Sequence, residues 1–218
     1  MENEFKVESI IKKEERESLY KIMFIGLSTY NRILNENREL MKTNSFDEIK
    51  TRLLSFVIKR QFEDDMLSLD FPYKVEFKKT NNFGSRVVFL KNNKSKIQIN
   101  KIPKNNKLYN SNKPSSYMLK EAKSNSYYTR ELTFFVDAND EIGIKENERV
   151  YIILGYRIKG NQLEYLRFHI PDEHMNNSID YFDGINEYND MINGNNNEVY
   201  EEKIIALKGE ALKLIEIK

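Results

Sequence analysis

The stretch RVYIILGYRIKGNQLEYLRFHIP, Arg149 to Pro171, decides the fold class. Arg149 to Ile158 is almost continuously apolar, the pattern of a central strand covered on both faces. Lys159-Gly160-Asn161-Gln162 sets a Gly-Asn centre between two apolar runs, which predicts a tight hairpin. Leu163 to Ile170 returns, and Pro171 ends the run because its nitrogen carries no hydrogen for a ladder. Alternation turns Leu166, Phe168 and Ile170 toward the core and Tyr165, Arg167 and His169 to the opposite face.

Upstream, the same period of two begins at Phe71-Pro72. Tyr73, Val75 and Phe77 alternate with Lys74, Glu76 and Lys78. A turn at 80–85 leads to a strand over Arg86 to Leu90, and a turn at 91–94 leads to Ile97 and Ile99 alternating with Lys96, Gln98 and Asn100. This reads as a three-stranded antiparallel meander with lysines on its open face. Residues 102–116 have almost no apolar content beyond Leu108 and Tyr109 and read as a functional or disordered loop, and Ser116 to Lys123 as one or two helical turns. Further strands are expected at Glu131 to Asp137, Val199 to Leu207 and Ala211 to Ile217, and a short helix around Ile179 to Ile192.

Before the meander the period is 3.6. Leu19, Ile22, Met23, Leu27, Tyr30, Ile33 and Leu34 form one face of a helix within Glu15 to Met41, with Gly26 on that face, a sign either of a closely packed neighbour or of a kink. Ser45-Phe-Asp-Glu48 has the spacing of a capping box, and Phe46, Ile49, Leu53 and Val57 continue a second helix. The expected fold is α+β: an N-terminal helical hairpin in residues 1–69, then a mostly antiparallel sheet or sandwich of about seven strands in 70–218.

Charge divides the chain further. The 218 residues carry a net +1, yet 71–130 hold 14 Lys and Arg against 2 Glu, a net +12. The preceding residues sum to −2 and the following ones to −9, so the β region has a basic first half (70–130) and an acidic second half (131–218). The absence of cysteine excludes disulfides and thiolate metal sites and fits a reducing, cytoplasmic setting. The apolar runs are strand-sized, too short for a membrane span. With 39% hydrophobic and 12% aromatic residues the chain can fold despite a mean hydropathy of −0.68.

Chemistry-bearing motifs are few. His169 and His174 flank Asp172 and Glu173, but Arg167 beside His169 disfavours a divalent ion, and no metal site or cofactor is expected. Carboxylates gather at Asp137, Asp140 and Glu141 and at Asp180, Asp183, Glu187 and Asp190; beside a basic surface they raise a metal-dependent nuclease as a third reading. Glu76-Phe77-Lys78 has the Glu-x-Lys form of many nucleases, but it recurs at Glu48 and Glu216 and lacks its upstream acid.

Motif poverty favours binding over catalysis, and no catalytic residue is singled out. The expected function is a non-enzymatic binding protein, of the kind a phage or mobile element encodes, engaging nucleic acid or a nucleoprotein. Lys78, Lys91, Lys94, Lys96, Lys101, Lys104, Lys107 and Lys113 would meet phosphates, and Tyr109 and Tyr117 would stack on bases. The alternative is a protein-binding inhibitor or interaction module of an anti-defence type, in which the acidic C-terminal segment imitates nucleic acid or the helical hairpin docks a host protein.

Overall fold

A computed structural model describes residues 6–80, 86–102, 115–126 and 149–194, with the side chains at 40, 41, 47, 48 and 51 excepted. The strands expected at 131–137, 199–207 and 211–217 lie outside these residues, as does most of the 102–116 loop. The chain divides into two compact units, Met1–Ile185 and Asn186–Lys218.

Four helices open the first unit: α1 (Val7–Ile10), α2 (Lys13–Glu36), α3 (Arg38–Met41) and α4 (Asn44–Arg60). The Lys12 N–H donates to the Glu15 carboxylate at 2.8 Å and so satisfies a donor at the start of α2. Leu19, Met23, Leu27 and Tyr30 of the apolar stripe are buried, Ile22, Ile33 and Leu34 half-buried, and Tyr20, outside the stripe, is buried with them. Gly26 lies where α4 crosses: a Cβ there would stand 2.8 Å from Ile58 Cδ1 and 3.4 Å from its Cα. The capping box expected at Ser45 does not form. α4 begins two residues earlier than a Ser45 cap implies, at Asn44, with Thr43 extended at the N-cap and no side-chain cap bond, because packing of Phe46, Leu54, Val57 and Ile58, all buried, sets the helix end.

Among the described residues the sheet has six strands: β1 (Lys74–Lys79), β2 (Arg86–Lys91), β3 (Ser95–Lys101), β4 (Val150–Lys159), β5 (Gln162–Pro171) and β6 (Ser178–Asp183), hydrogen-bonded in that order. The predicted meander is β1-β2-β3, and the predicted hairpin is β4-β5, turned at Gly160 with φ +60°. One pairing departs from expectation. β3 and β4 run parallel, Ser95 opposite Val150 through Lys101 opposite Tyr156. A parallel pair needs a crossover, and α5 (Ser116–Ala122), extended by a 3-10 turn at Lys123–Asn125, lies within it. Ile179 to Asp183, expected as helix, instead pairs with β5, Phe182 opposite Phe168 and Asp183 opposite Arg167. α6 (Ile185–Gly194) begins only after this strand, with the Ile185 N–H donated to Asp183 at 3.2 Å.

Both sheet faces are covered. The face carrying Leu154, Tyr156, Phe168 and Phe182 receives the N-terminal helices: the Tyr20 ring lies 6.3 Å from that of Phe168, and the Arg16 guanidinium sits 4.3 Å over Phe182. On the other face Met118 and Ala122 of α5 pack into a core with Val87, Phe89, Tyr151, Ile153 and Met175. β4 is therefore buried continuously from Val150 to Tyr156, as its unbroken apolar run implied. Fully burying a side chain such as Phe168 contributes about 2–3 kcal/mol.

A polar joint holds α5 in place. β4 and β5 pair as far as Ile153 opposite His169. Two residues further along this register, Pro171 has no N–H to offer Tyr151. The side chain of Asn125, fully buried, fills the gap: its Oδ1 accepts from the Tyr151 N–H at 2.8 Å, and its Nδ2 donates to Tyr151 O at 2.9 Å and Pro171 O at 2.8 Å. An amide replaces a missing peptide group, so no backbone donor or acceptor is stranded there.

Candidate nucleic-acid interface

The lysines expected on an open meander face do not stand free. α5 covers that face, and its one acid converges with two of them: Lys78 Nζ donates to Glu121 Oε1 at 2.8 Å, and Lys96 donates to Oε2. Lys91 is bonded to Glu76, its neighbour across β1 and β2. The ammonium groups of Lys96 and Lys78 also lie 4.5 and 5.9 Å from the centre of the Phe89 ring. These three cations are thus paired within the chain, and the expectation of an uncovered lysine array is corrected. Burial alone raises the Glu121 carboxyl, but the bonds from Lys78 and Lys96 outweigh it and hold the group below its ordinary value.

The other sequence-selected residues separate. Lys94 is exposed in the β2–β3 turn, and Lys101 is half-buried, with desolvation lowering its pKa. Tyr117 packs partly against the α5 core with its hydroxyl 3.4 Å from Gln98 Nε2, an amide whose Oε1 accepts from the buried Tyr151 hydroxyl at 2.6 Å. It faces the sheet. Lys104, Lys107, Tyr109 and Lys113 lie outside the described residues. In their place Lys74, Lys79, Arg86, Lys120 and Lys123 are exposed. Over the described residues of β1, β2, β3 and α5 with their flanks (71–80, 86–102 and 115–126), ten Lys and Arg face two Glu, a net +8 that the internal pairs leave intact.

A second cluster lies on the α5 side of the sheet, at β5 and β6. His169 is buried and bonded at both ring nitrogens, Nε2 to the Tyr165 hydroxyl at 2.6 Å and Nδ1 to Ser178 Oγ at 3.1 Å. Its ring is nearly parallel to that of Tyr165 (13°) and tilted 30° to that of Tyr181, with centroids 6.2 and 6.1 Å away. Arg167 sits 5.1 Å from the Tyr165 ring and 5.4 Å from the Tyr181 ring, fixed by Asp183 at 2.7 Å. Alternation alone groups Tyr165, Arg167 and His169. Tyr181 escapes sequence reasoning because its strand has the composition of a polar helix.

The carboxylates do not gather. Asp180 accepts the Val7 N–H at 2.8 Å, whereas Asp183 pairs with Arg167, and their positions on β6 fall on opposite faces. Among the described residues no group of three or more His, Asp or Glu is placed to hold a metal ion, and no helix is long and apolar enough to cross a membrane. Asp137, Asp140 and Glu141 lie outside the described residues.

Together these features define an α+β protein whose described residues form a six-stranded mixed sheet between helices, basic at its first three strands and aromatic at its last two. No family model matches the chain, and no curated protein or solved structure is detectably similar to it.

Proposed function

We propose that this chain is a non-enzymatic binding protein that engages nucleic acid, chiefly through phosphates. One observation carries the reading: the net +8 over β1, β2, β3 and α5 persists after the internal ion pairs, with Lys74, Lys79, Arg86, Lys94, Lys120 and Lys123 exposed. Lysines of α5 and the lysines it pairs with lie on one side of the sheet, so α5 displaces the contact surface outward and does not abolish it. A polyanion that neutralises several such cations releases counterions, and its affinity falls steeply with salt.

Fluorescence anisotropy with mixed-sequence DNA and RNA tests this. Affinity should drop at least about ten-fold between roughly 50 and 200 mM salt, and replacing Lys94, Lys120 and Lys123 with Gln should weaken it without changing the circular dichroism. Undetectable binding at low salt, or binding indifferent to salt, would sink the proposal.

A second reading, a protein-interaction module, is favoured by α4. Ile49 and Phe56, two turns apart on one face, are 50% and 63% exposed. A stoichiometric protein partner that survives nuclease treatment and is lost with Phe56→Asp would establish it.

A further inference from the structure

We infer that Tyr181 and Arg167 form a stacking platform for an unpaired nucleobase, so that the nucleic acid recognised is single-stranded. The inference rests on the phosphate-binding reading above and adds a second contact to it. Tyr181 is 57% exposed, although its strand pairs along its length with β5. The His169 ring lies 6.1 Å from the Tyr181 ring on one side, and the Arg167 guanidinium stands 5.4 Å from the Tyr181 ring centre.

The layer beneath is polar, aromatic and fixed. Tyr165 and Ser178 occupy both nitrogens of His169, and Asp183 holds Arg167 between the Tyr165 and Tyr181 rings. An exposed tyrosine beside such a fixed layer offers a flat ligand one planar contact, and the adjacent guanidinium offers a second. Nucleotides have both a flat π face and an attached negative charge, which suits them to this platform and the lysines near it.

Position supplies the link to the lysines. Tyr181 and Arg167 lie on the face that α5 covers at β2 and β4, so the exposed Lys120 of α5 and Lys123 of the 3-10 turn after it stand on the same side of the sheet. β3 and β6 are three strand spacings apart, about 14 Å, a gap that a few nucleotides cross. A strand running over α5 to β6 would meet cations first and the aromatic layer next. Duplex bases are stacked on each other and present no free face, so the platform discriminates against them.

The test compares a mixed-sequence 12-nucleotide single strand with its duplex, at one salt concentration, for the unaltered protein, Tyr181→Ala, Tyr181→Phe and the double variant Lys120→Gln/Lys123→Gln. Tyr181→Ala should weaken single-strand binding roughly ten-fold and leave duplex binding and the salt slope unchanged; Tyr181→Phe should retain affinity. The lysine variant should weaken both ligands. Equal single-strand affinity for Tyr181→Ala and the unaltered protein, or equal losses on both ligands, removes the platform while the phosphate reading stands. Failure of the unaltered protein to bind either ligand removes both.

Discussion

Lys78 on β1, the outermost described strand of the meander, donates to Glu121 on α5 at 2.8 Å, so the helix of the crossover is tied to the strand farthest from the β3–β4 pair. Glu121 is only 12% exposed and also accepts from Lys96. Replacing it with Gln should cost about 1–2 kcal/mol in urea unfolding at neutral pH. The same variant frees two lysines and should tighten nucleic-acid binding at low salt. Because the folded carboxyl is held below its ordinary value, its stabilisation is present above the unfolded pKa of about 4.3. It is lost as pH falls through the folded value.

Asn125 makes three hydrogen bonds from a fully buried side chain. Asn125→Ala strands the N–H and C=O of Tyr151 and the C=O of Pro171. The expected loss is about 2–4 kcal/mol. Asn125→Asp keeps the acceptor for Tyr151 but removes both donors, and should not restore stability. Chemical denaturation of both variants checks this.

Burial, helped by the charge of Arg167, lowers the His169 pKa to about 4, so the imidazole is neutral in the fold at pH 7. In the unfolded chain it protonates near 6.5. Between these values the unfolded state binds the extra proton, so stability is complete above about pH 6.5 and declines toward about pH 4. The decline amounts to roughly 3 kcal/mol. His169→Gln should flatten the unfolding free energy across that window.

Two glycines should respond to substitution for different reasons. Gly160 has φ +60°, and a Cβ placed there would meet nothing within 4 Å, so Gly160→Val should cost about 1–2 kcal/mol through backbone strain and Gly160→Asn less. At Gly26 alanine gains about 1 kcal/mol of helix propensity. It also meets Ile58 at 2.8 Å, and overpacking costs about 1–3 kcal/mol, so the helices should lose stability on balance. Thermal unfolding of the three variants separates the causes.

Local patterns were the legible part. Apolar run length, the Gly160-Asn161 turn and the alternation around Leu166 gave β4, β5 and the side of the sheet on which His169 lies. The helical spacing from Leu19 and the close neighbour at Gly26 were equally readable. What escaped depended on distant segments. The direction of β3 against β4 follows from a crossover that neither strand encodes, and the cover over the lysines follows from where α5 docks. Glu121, one of two acids among fourteen cations, was the available sign that those lysines had an internal partner. Asp180, Asp183 and the Asn-rich residues after them suggested a polar helical segment. Cross-strand pairing of Phe182 with Phe168 overrode that tendency and brought Tyr181 beside His169.

Among the described residues the parallel β3–β4 seam joins two three-strand meanders, β1-β2-β3 and β4-β5-β6. Each half can form from near neighbours in the chain, and their union waits for the long excursion from Lys101 to Val150 to close. Until then each half presents an unsatisfied edge, and the matching half of another molecule fits it as well as its own. Crowded refolding should therefore yield intertwined dimers that exchange halves across this seam, in proportion to protein concentration.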